Sequence, residues 1–336
     1  MIKIIDRTLS CLDNFSIGAD SLKKLLFLLL KLNCDKIELS EKVYQAIKPL
    51  PPKVKFILRV HDISDSEKYP EVKEFICENA HIDADQRIYK EIQFDSVEEL
   101  NQLDAQTSVG RIRISGLDDA LISDYKNNFK KLNDVLKGPI EFCPMNRMKC
   151  ATALAIEWAF ASDSDDAEIV TSFGSLNHYA PLEEVIMFLF MHHCLTNHSK
   201  CCYFAKIRDL IEEVTHVPFA KHKAVIGKEI FQVESGIHVD GIMKNPHCYE
   251  PYNPELVGQK REIILGKKSG RASLTLKMKQ LHLMLNEALL PQMLQRVKKL
   301  SIEKNDHVTD QEFIKIVNDV TKMNCSHTFT AEAREG

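Results

Sequence analysis

The sequence predicts an α/β protein, a partly reduced (β/α)8 TIM barrel followed by small C-terminal α+β linker subdomains. Three observations predict this class. The chain has 336 residues, which is enough for one large barrel with an appendage. Up to about residue 205, short β-branched runs alternate with longer amphipathic stretches, a pattern typical of parallel strands joined by right-handed crossovers. Beyond that point the alternating pattern ends, and a loop-rich region is followed by predicted helices.

Eight short runs are candidate strands, and eight parallel strands are enough to close a barrel. They are Ile2 to Asp6, Lys36 to Leu39, Lys55 to Val60, Ala80 to Asp83, Glu91 to Phe94, Arg111 to Ser115, Pro139 to Cys143 and Glu168 to Ser172. Apolar residues recur at helical spacing from Leu22 to Leu29, which predicts a crossover helix between the first two strands. The interval between the fourth and fifth candidates is too short for such a helix. We therefore expect the ring to be reduced there, or the strand count to be wrong.

The last barrel helix is predicted to begin at Pro181, because a missing N–H costs nothing in the first turn of a helix. Glu183 and Glu184 follow, where carboxylates favour the positive end of the helix dipole. The change of pattern then divides the chain into a TIM-barrel domain, residues 1–205, and a second region with C-terminal helices, residues 206–336.

The second region contains weaker signals. Residues 223–231 and 260–265 are predicted to be extended, and residues 272–300 are predicted to be helical. Thr309 with Glu312 three residues later predicts a capping box that opens a final helix.

Charge and thiol content exclude several classes of protein. Lysine and arginine number 44 against 48 acidic residues, for a net charge of -4, whereas a nucleic-acid or membrane-surface protein needs a clustered basic excess. The longest apolar run, residues 25–30, is far shorter than the ~20 residues that span a bilayer. The opening residues MIKIID do not form a targeting segment. Ten cysteines without framework spacing indicate reduced thiols. We therefore expect a cytoplasmic protein that binds neither nucleic acid nor membrane.

The most specific part of the sequence lies in residues 231–271. It reads FQVESGIHVDGI at 231–242, KNP at 244–246, YEP at 249–251, PELVG at 254–258 and LGKKSGR at 265–271. This stretch resembles the linker region of homocitrate synthases and 2-isopropylmalate synthases, in which a near-identical run joins the catalytic barrel to small C-terminal subdomains. A match of this length with few gaps is specific, and it anchors an alignment of the remaining chain.

Barrel motifs align from that anchor. Residues 6–11, DRTLSC, resemble the family's DTTLRD; residues 111–114, RIRI, its RIRIADT strand; residues 142–147, FCPMNR, its FHAHND; and residues 171–179, TSFGSLNHY, its NGIGERAGN. The resemblance therefore covers nearly the whole chain. It implies that residues 1–205 are a degenerate TIM-barrel domain of catalytic type and that residues 206–336 are linker and C-terminal helical subdomains.

The resemblance implies a reaction and a metal site. Family members condense the methyl carbon of acetyl-CoA with the keto group of a 2-oxo acid, which a hard divalent metal polarises. Such a metal prefers oxygen and imidazole ligands, and the family supplies them from the aspartate of LRD and the two histidines of HAH, beside the LRD arginine. Those positions here are Cys11, Cys143, Met145 and Ser10. We predict that this chain binds no metal or other cofactor and cannot run the reaction alone.

Other polar positions of the family's site are retained. The resemblance assigns substrate binding to Asp6, Glu38, Arg59 and Asn146, and catalysis to Glu234, His238 and Tyr249. Structural interpretations stay open beside these roles. Glu38 and Arg59 would form an ion pair inside the barrel mouth, Asn146 would tie down a loop, and His238 would be an ordinary loop histidine.

Two further features also allow two interpretations. If the alignment holds, Cys11, Cys143 and Met145 converge at the old metal position, where they either bind a soft ion such as zinc or copper(I) or fill the vacated space as polarizable apolar groups. The run GKKSG at residues 266–270 is either a phosphate or CoA site or a structural turn with solvated lysines. We favour the space-filling role for the sulfurs and, because Walker spacing is absent, the turn for GKKSG.

An intact linker beside a degraded barrel suggests one half of a heteromer. In homologues of this kind the linker of one protomer lies across the other protomer's barrel, and a split homocitrate synthase with alpha and omega subunits is known in nitrogen-fixing anaerobes. This chain resembles the omega type. The resemblance implies a second homocitrate synthase subunit that has intact metal motifs and binds Mg or Mn. It also implies that acetyl-CoA and a 2-oxo acid are used through the complex, with homocitrate made for the iron–molybdenum cofactor. The alternative is a structural or regulatory pseudoenzyme of the isopropylmalate synthase family.

Overall fold

A computed structural model describes residues 2–77, 87–102, 110–136, 138–161, 167–195 and 200–332. The chain divides into two compact units, Met1–Gly227 and Lys228–Gly336. The division thus falls after Gly227, beyond the boundary expected after residue 205. The first unit extends further because the helix Phe204–Thr215 packs against the first barrel helix, Ala19–Leu29.

The first unit is a closed barrel of eight parallel strands, as predicted. The strands are β1 Ile2–Asp6, β2 Lys36–Ser40, β3 Phe56–Arg59, β4 Glu74–Cys77, β5 Ile88–Phe94, β6 Arg111–Gly116, β7 Ile140–Pro144 and β8 Ala167–Thr171. Each strand pairs with the next, and β8 pairs with β1, with Ile4 opposite Ile169.

The fourth strand is the one that sequence reasoning did not find. It lies at Glu74–Cys77, whereas the run predicted as a strand, residues 80–83, lies outside the described residues. The apolar part of β4 is only three residues long, and the charged Glu74 occupies an inward position. A strand this short does not stand out from its surroundings in the sequence.

Helices fill the crossovers unevenly. They are α1 Ala19–Leu29, α2 Glu41–Ile47, α3 Tyr125–Val135, α4 Ala151–Ala161, α5 Leu182–Met191 and, after the barrel, α6 Phe204–Thr215. Among the described residues, the connections after β3 and β5 contain the 3-10 turns Ile63–Lys68 and Val97–Gln102 in place of α-helices. The barrel is therefore reduced on this side.

Local signals set the helix ends. Ser40 caps α2 by accepting a hydrogen bond from the backbone N–H of Val43 at 3.2 Å. Pro181 stands directly before α5, as predicted, with Glu183 and Glu184 in the first turn. These ends fix where each strand leaves the barrel and, with that, which side chains reach its mouth.

The barrel interior is both apolar and charged. Alternate residues of a strand face the same side of a sheet, and the inward apolar cluster consists of Ile5, Ile57, Ile76, Tyr89, Cys143 and Val170. In the same inward phase stand ionisable residues such as Glu38 on β2 and Arg113 on β6, both fully buried. Charged groups inside a barrel require partners, and their pairing shapes the mouth.

The second unit is a small α+β domain. A parallel pair of two-residue strands, β9 Gln232–Val233 and β10 Glu262–Ile263, accompanies four helices: α7 Gly236–Lys244, α8 Arg271–Gln280, α9 Leu290–Lys304 and α10 Asp310–Glu332. Leu274, Met293 and Phe313 lie in the apolar core that α8, α9 and α10 share.

Two predictions about the C-terminal region are wrong and one is confirmed. Residues 223–231 form turns and not an extended segment, and β9 begins only at Gln232. Residues 272–300 form two helices, because His282 takes a left-handed conformation after α8 and Asn286 caps the turn that leads into α9. The capping box is present. Glu312 accepts a hydrogen bond from Thr309 N–H at 2.8 Å, and Thr309 Oγ1 accepts one from Glu312 N–H at 3.3 Å.

The described residues also bear on membrane crossing and disulfides. Among the described segments, none of the helices combines the length and the apolar content that a bilayer span requires. The cysteines in these segments are all free thiols, and those at positions 11, 77, 143 and 201 are buried.

Candidate functional site

Glu38 is the centre of an ion network at the carboxyl ends of the strands. It is fully buried and pairs with Arg113, while Arg59 Nε lies 3.1 Å from Glu38 Oε1. Arg7 Nη2 lies 3.6 Å from the same oxygen. Burial alone would raise the pKa of this carboxyl, but the three guanidiniums hold the pKa well below its usual range. Glu38 is therefore ionised, and its predicted pairing with Arg59 is confirmed.

Glu91, on β5, is the second carboxylate of the mouth. Its Oε2 lies 2.7 Å from Arg59 Nη1, its Oε1 lies 3.6 Å from Arg7 Nη1, and Ser115 Oγ donates a hydrogen bond to it at 2.7 Å. Burial works against ionisation, but Arg59, Arg7 and Arg113 lower the pKa of Glu91 to about 2. Sequence reasoning missed this residue, although its place at the start of a predicted strand was an available signal.

Arg7 places a guanidinium between these carboxylates. Its Nη1 lies 3.4 Å from Cys143 Sγ, and its guanidinium carbon lies 3.8 Å from the centre of the Tyr179 ring. The side chain is only 7% exposed. Arg7 follows Lys3 and Ile5 at alternate positions, so β1 directs it into the barrel. Alignment with DTTLRD hid this signal, because the motif has threonine at that position.

Of the sulfur groups, Cys143 contacts the Arg7 guanidinium, and Cys11 is buried with its backbone N–H donating to Arg7 O at 3.1 Å. Burial raises the pKa of Cys11 to about 12 and also raises the pKa of Cys143, in both cases against the influence of Arg7. Both groups are therefore thiols at neutral pH, and thiols beside a guanidinium are poor ligands for a hard cation. In the segments that the structure describes, no group of three or more His, Cys, Asp or Glu side chains could hold a metal ion. Magnesium and manganese do not fit this site.

Asp6 and Asn146 hold the loops around the mouth. Asp6 Oδ1 accepts hydrogen bonds from the backbone N–H of Thr8, at 2.8 Å, and from the Thr8 hydroxyl. Asn146 Nδ2 donates to Ser175 Oγ at 2.9 Å, and Asn146 Oδ1 accepts from Ala151 N–H at 3.2 Å. Asn146 therefore ties a loop, as its structural interpretation states. Substrate binding by either residue stays a prediction.

The loop after β8 is strained and cross-braced. Ser175, Asn177 and His178 all have positive φ, at 64°, 51° and 62°, a region that costs energy for residues other than glycine. Glu183 Oε2 accepts a hydrogen bond from Gly174 N–H at 2.7 Å, and Lys223 Nζ lies 3.3 Å from Glu183 Oε1. This loop stands at the position of the family's NGIGERAGN, and its conformation is held by buried polar contacts.

A second layer of ion pairs lies deeper in the barrel. Lys36 Nζ lies 2.9 Å from Glu74 Oε2 and 3.2 Å from both Glu141 Oε1 and Glu168 Oε2. Arg113 joins the two layers, because its Nη2 lies 2.7 Å from Glu141 Oε2. Sequence reasoning singled out none of these pairs. Their signal was a set of charged residues at inward positions of predicted strands.

His238 and Tyr249 lie side by side on the surface of the second unit. His238 is on α7 and Tyr249 follows the 3-10 turn Pro246–Cys248, with their ring centres 5.3 Å apart. Both are exposed, Tyr249 to 46%. Gly241 makes this approach possible, because a Cβ there would lie 2.4 Å from the Tyr249 ring. The structure thus brings together two of the three predicted catalytic residues.

Glu234, the third, closes the turn at residues 266–270. Its Oε1 accepts a hydrogen bond from Lys268 N–H at 2.7 Å, and its backbone oxygen accepts from the hydroxyl of Ser273 at 3.2 Å. Ser269 Oγ accepts a hydrogen bond from Gly266 N–H at 2.9 Å. A carboxylate of the chain already occupies an N–H group that a phosphate would use, so the prediction of a structural turn is confirmed.

Comparisons with known proteins agree with both units. The family model described as homocitrate synthase post-HMGL domain-like matches residues 225–305. The omega subunit of homocitrate synthase from Clostridium pasteurianum is 31% identical in an alignment of 343 positions, which covers 95% of this chain and 96% of that protein. A 2-isopropylmalate synthase from Caldanaerobacter subterraneus subsp. tengcongensis is 33% identical in an alignment that covers 57% of this chain and 50% of that synthase.

Structural comparison supports the fold. The structure of an HMG-CoA lyase from Acenitobacter baumannii aligns with a TM-score of 0.52 at 7% identity and covers 65% of this chain and 92% of that one. At such low identity the likeness concerns the barrel fold alone. Because the Clostridium pasteurianum relative is aligned over nearly the full length of both proteins, this chain belongs to the homocitrate synthase and 2-isopropylmalate synthase family.

Proposed function

We propose that this chain is the subunit without a metal site in a two-subunit homocitrate synthase. The complex would condense acetyl-CoA with 2-oxoglutarate and water to give homocitrate and CoA, in the cytoplasm, for the iron–molybdenum cofactor of nitrogen fixation. The partner subunit would hold Mg²⁺ or Mn²⁺, and the linker of this chain would reach the partner's active site. The similarity to a protein named as an omega subunit supports a role within a complex.

The observation that carries the proposal is a contrast between two sets of residues. At the barrel mouth, Glu38 and Glu91 each form an ion pair with Arg59. In the linker, His238 and Tyr249 lie exposed and adjacent. Side chains that serve this chain's own barrel would be expected at the mouth, whereas exposed polar rings on a family-specific linker are suited to a second polypeptide.

The proposed chemistry of these two residues is simple. The His238 imidazole would accept a proton from the methyl group of acetyl-CoA, and that carbon would then bond to the keto carbon of the 2-oxo acid. The π electrons of the keto group would move to its oxygen, which would take the proton from the imidazolium to become the hydroxyl of the product. The Tyr249 hydroxyl would donate a hydrogen bond to an oxygen that gains charge in this step. Water would then cleave the thioester and release CoA.

The second candidate is a pseudoenzyme of the same family that only stabilises or regulates a partner. The placement of Glu234 favours it, because this matched residue closes a turn within its own unit. Both candidates require a partner subunit. They differ in whether the linker side chains take part in turnover.

Substitutions in the co-expressed complex separate the two candidates. We expect His238→Gln to lower kcat by about 100-fold or more, the usual contribution of a positioned acid or base, and Tyr249→Phe to lower it by about tenfold, with the complex still intact on size exclusion. The control is His282→Asn, since His282 is exposed with a positive φ of 54° that asparagine tolerates. Unchanged turnover in both linker variants would favour the pseudoenzyme.

A further inference from the structure

Arg7 occupies an unusual position for an arginine. Its side chain leaves the end of β1 inside the barrel, and the backbone continues the strand ladder, with Arg7 N–H donating to Thr171 O at 2.9 Å. The guanidinium is 7% exposed and packs against the face of Tyr179. An arginine this well enclosed is a fixed charge of the interior.

The same guanidinium lies where the family's ligands would converge. Cys143, which aligns with the first histidine of HAH, has its Sγ 3.4 Å from Arg7 Nη1. Cys11, which aligns with the aspartate of LRD, is buried, and its backbone N–H donates a hydrogen bond to Arg7 O at 3.1 Å. One substituted ligand position therefore contacts the Arg7 guanidinium, and a second is tied to the backbone of the same residue.

The mouth needs this charge. Glu38 and Glu91 are both enclosed, with 0% and 8% of their side chains exposed, and a buried carboxylate without a cation is costly. Arg59 and Arg113 contribute to their neutralisation, and Arg113 is shared with Glu141 at 2.7 Å. Loss of Arg7 would remove one of the three guanidiniums near Glu38 and one of the two that pair with Glu91.

We propose that the Arg7 guanidinium is a built-in cation that takes the place of the family's divalent metal at the barrel mouth. It neutralises Glu38 and Glu91, fills the space that the former ligands surround, and excludes a metal ion by charge and by volume. The inference depends on the family alignment that places the metal. It does not depend on whether the linker serves a partner, so the two proposals can fail separately.

Thermal unfolding of the full chain tests the neutralising role. We expect Arg7→Met to lower Tm by roughly 5–10 °C, as expected when a buried ion pair is broken, and Arg7→Lys, which keeps the charge, to lower it less. Adding Glu91→Gln to Arg7→Met should recover part of the loss, because it removes a buried carboxylate that has lost one of its two paired cations. If Arg7→Met does not fold, recovery of folded protein in the double variant supports the proposal. A Tm unchanged by Arg7→Met, or no recovery in the double variant, would overturn it.

Manganese binding tests the exclusion of metal. The variant Cys11→Asp, Cys143→His and Met145→His restores the family's ligand types, and a second variant adds Arg7→Thr, the residue of DTTLRD. Electron paramagnetic resonance with Mn²⁺ should show binding at least about tenfold tighter in the second variant, because a positive charge at contact distance repels the ion. Equal Mn²⁺ affinity of the two variants would contradict the exclusion.

Discussion

At the scale of single residues, the barrel mouth is governed by the need to pair buried charge. Glu38 forms ion pairs with Arg113, Arg59 and Arg7, and Glu91 forms ion pairs with Arg59 and Arg7. A buried pair of this kind contributes little against an apolar equivalent, but removal of one partner is expensive because the other stays charged in a dry site. The stability of the barrel should therefore be most sensitive to substitution of the arginines that several carboxylates share.

Arg113 is the residue for which this expectation is strongest. Arg113→Met leaves Glu38 and Glu141 without their shared partner, and we expect a loss of about 3–5 kcal/mol in the free energy of unfolding. The matched control is Lys68→Met, because Lys68 is 68% exposed and pairs with Asp65 at the surface, where a pair is worth about 0–1 kcal/mol. Urea unfolding measures both, and equal losses in the two variants would count against the buried network.

The buried carboxyl group of Asp6 should make the stability of the barrel depend on pH. Burial raises its pKa from 3.8 to about 6, against hydrogen bonds from Thr8, so the folded chain holds a proton that the unfolded chain releases. The contribution of Asp6 to stability is complete below about pH 4 and is lost as the pH rises through about 6.

Asp6→Asn keeps the oxygen that accepts the Thr8 hydrogen bonds and removes the ionisation. We expect it to stabilise the barrel by roughly 1–3 kcal/mol at pH 7.5 and to make little difference near pH 4. Urea unfolding at both pH values measures the effect. A variant that is no more stable than the parent at pH 7.5 would show that Asp6 carries no penalty for burial.

The sequence predicted some of these residues and missed others for physical reasons. The Glu38–Arg59 pair was predictable, because opposite charges end adjacent parallel strands. Arg7 was not found, because a family motif was given more weight than the alternation of Lys3, Ile5 and Arg7 along β1. The deeper pairs of Lys36 were missed because a charge within a short strand is usually assigned to its solvent face.

At the scale of secondary-structure elements, α7 contains His238, and two of its glycines make close contacts, one with Tyr249 and one with Gly270. A Cβ on Gly241 would lie 2.4 Å from the Tyr249 ring, which is exposed and able to move. A Cβ on Gly236 would lie 3.0 Å from the Cα of Gly270, which is backbone. The first contact sets where Tyr249 lies, and the second sets how closely α7 approaches the turn at residues 266–270.

Alanine at these two glycines should therefore have different effects. Gly241→Ala should keep the stability of the second unit within about 1 kcal/mol, because alanine favours helix, while it displaces Tyr249 and lowers turnover of the complex. Gly236→Ala should destabilise the second unit itself, because backbone cannot yield as a side chain does. Circular dichroism melts and turnover of the complex measure both effects. Equal stability of the two variants would contradict this account of α7.

Elements were predictable where a local signal marks them. Pro181 and the Thr309–Glu312 box mark helix starts correctly. The break between α8 and α9 was missed, because the left-handed His282 and the cap at Asn286 depend on packing around them. For β4, tertiary pairing with its neighbours creates a strand from only four residues.

At the scale of the whole molecule, the family indicates the class of reaction that the relatives catalyse. The residues at the barrel mouth show which of the family's metal ligands are substituted in this chain. Its relatives include homocitrate, citramalate and isopropylmalate synthases. The (β/α)8 fold followed from the alternation of elements, whereas the replacement of ligands by a guanidinium required the structure. The proposed partner, which would supply the metal site, would account for a linker that keeps the family's motif beside a barrel in which the aligned ligand positions are substituted.

Reconstitution tests this account most directly. The purified chain would be assayed for CoA release from acetyl-CoA and 2-oxoglutarate in the presence of Mn²⁺, alone and after mixing with a co-purified subunit that contains intact LRD and HAH motifs. We predict no turnover by the chain alone, and turnover by the mixture that exceeds that of the partner alone. Condensation by the isolated chain at a rate similar to that of the mixture would contradict the account.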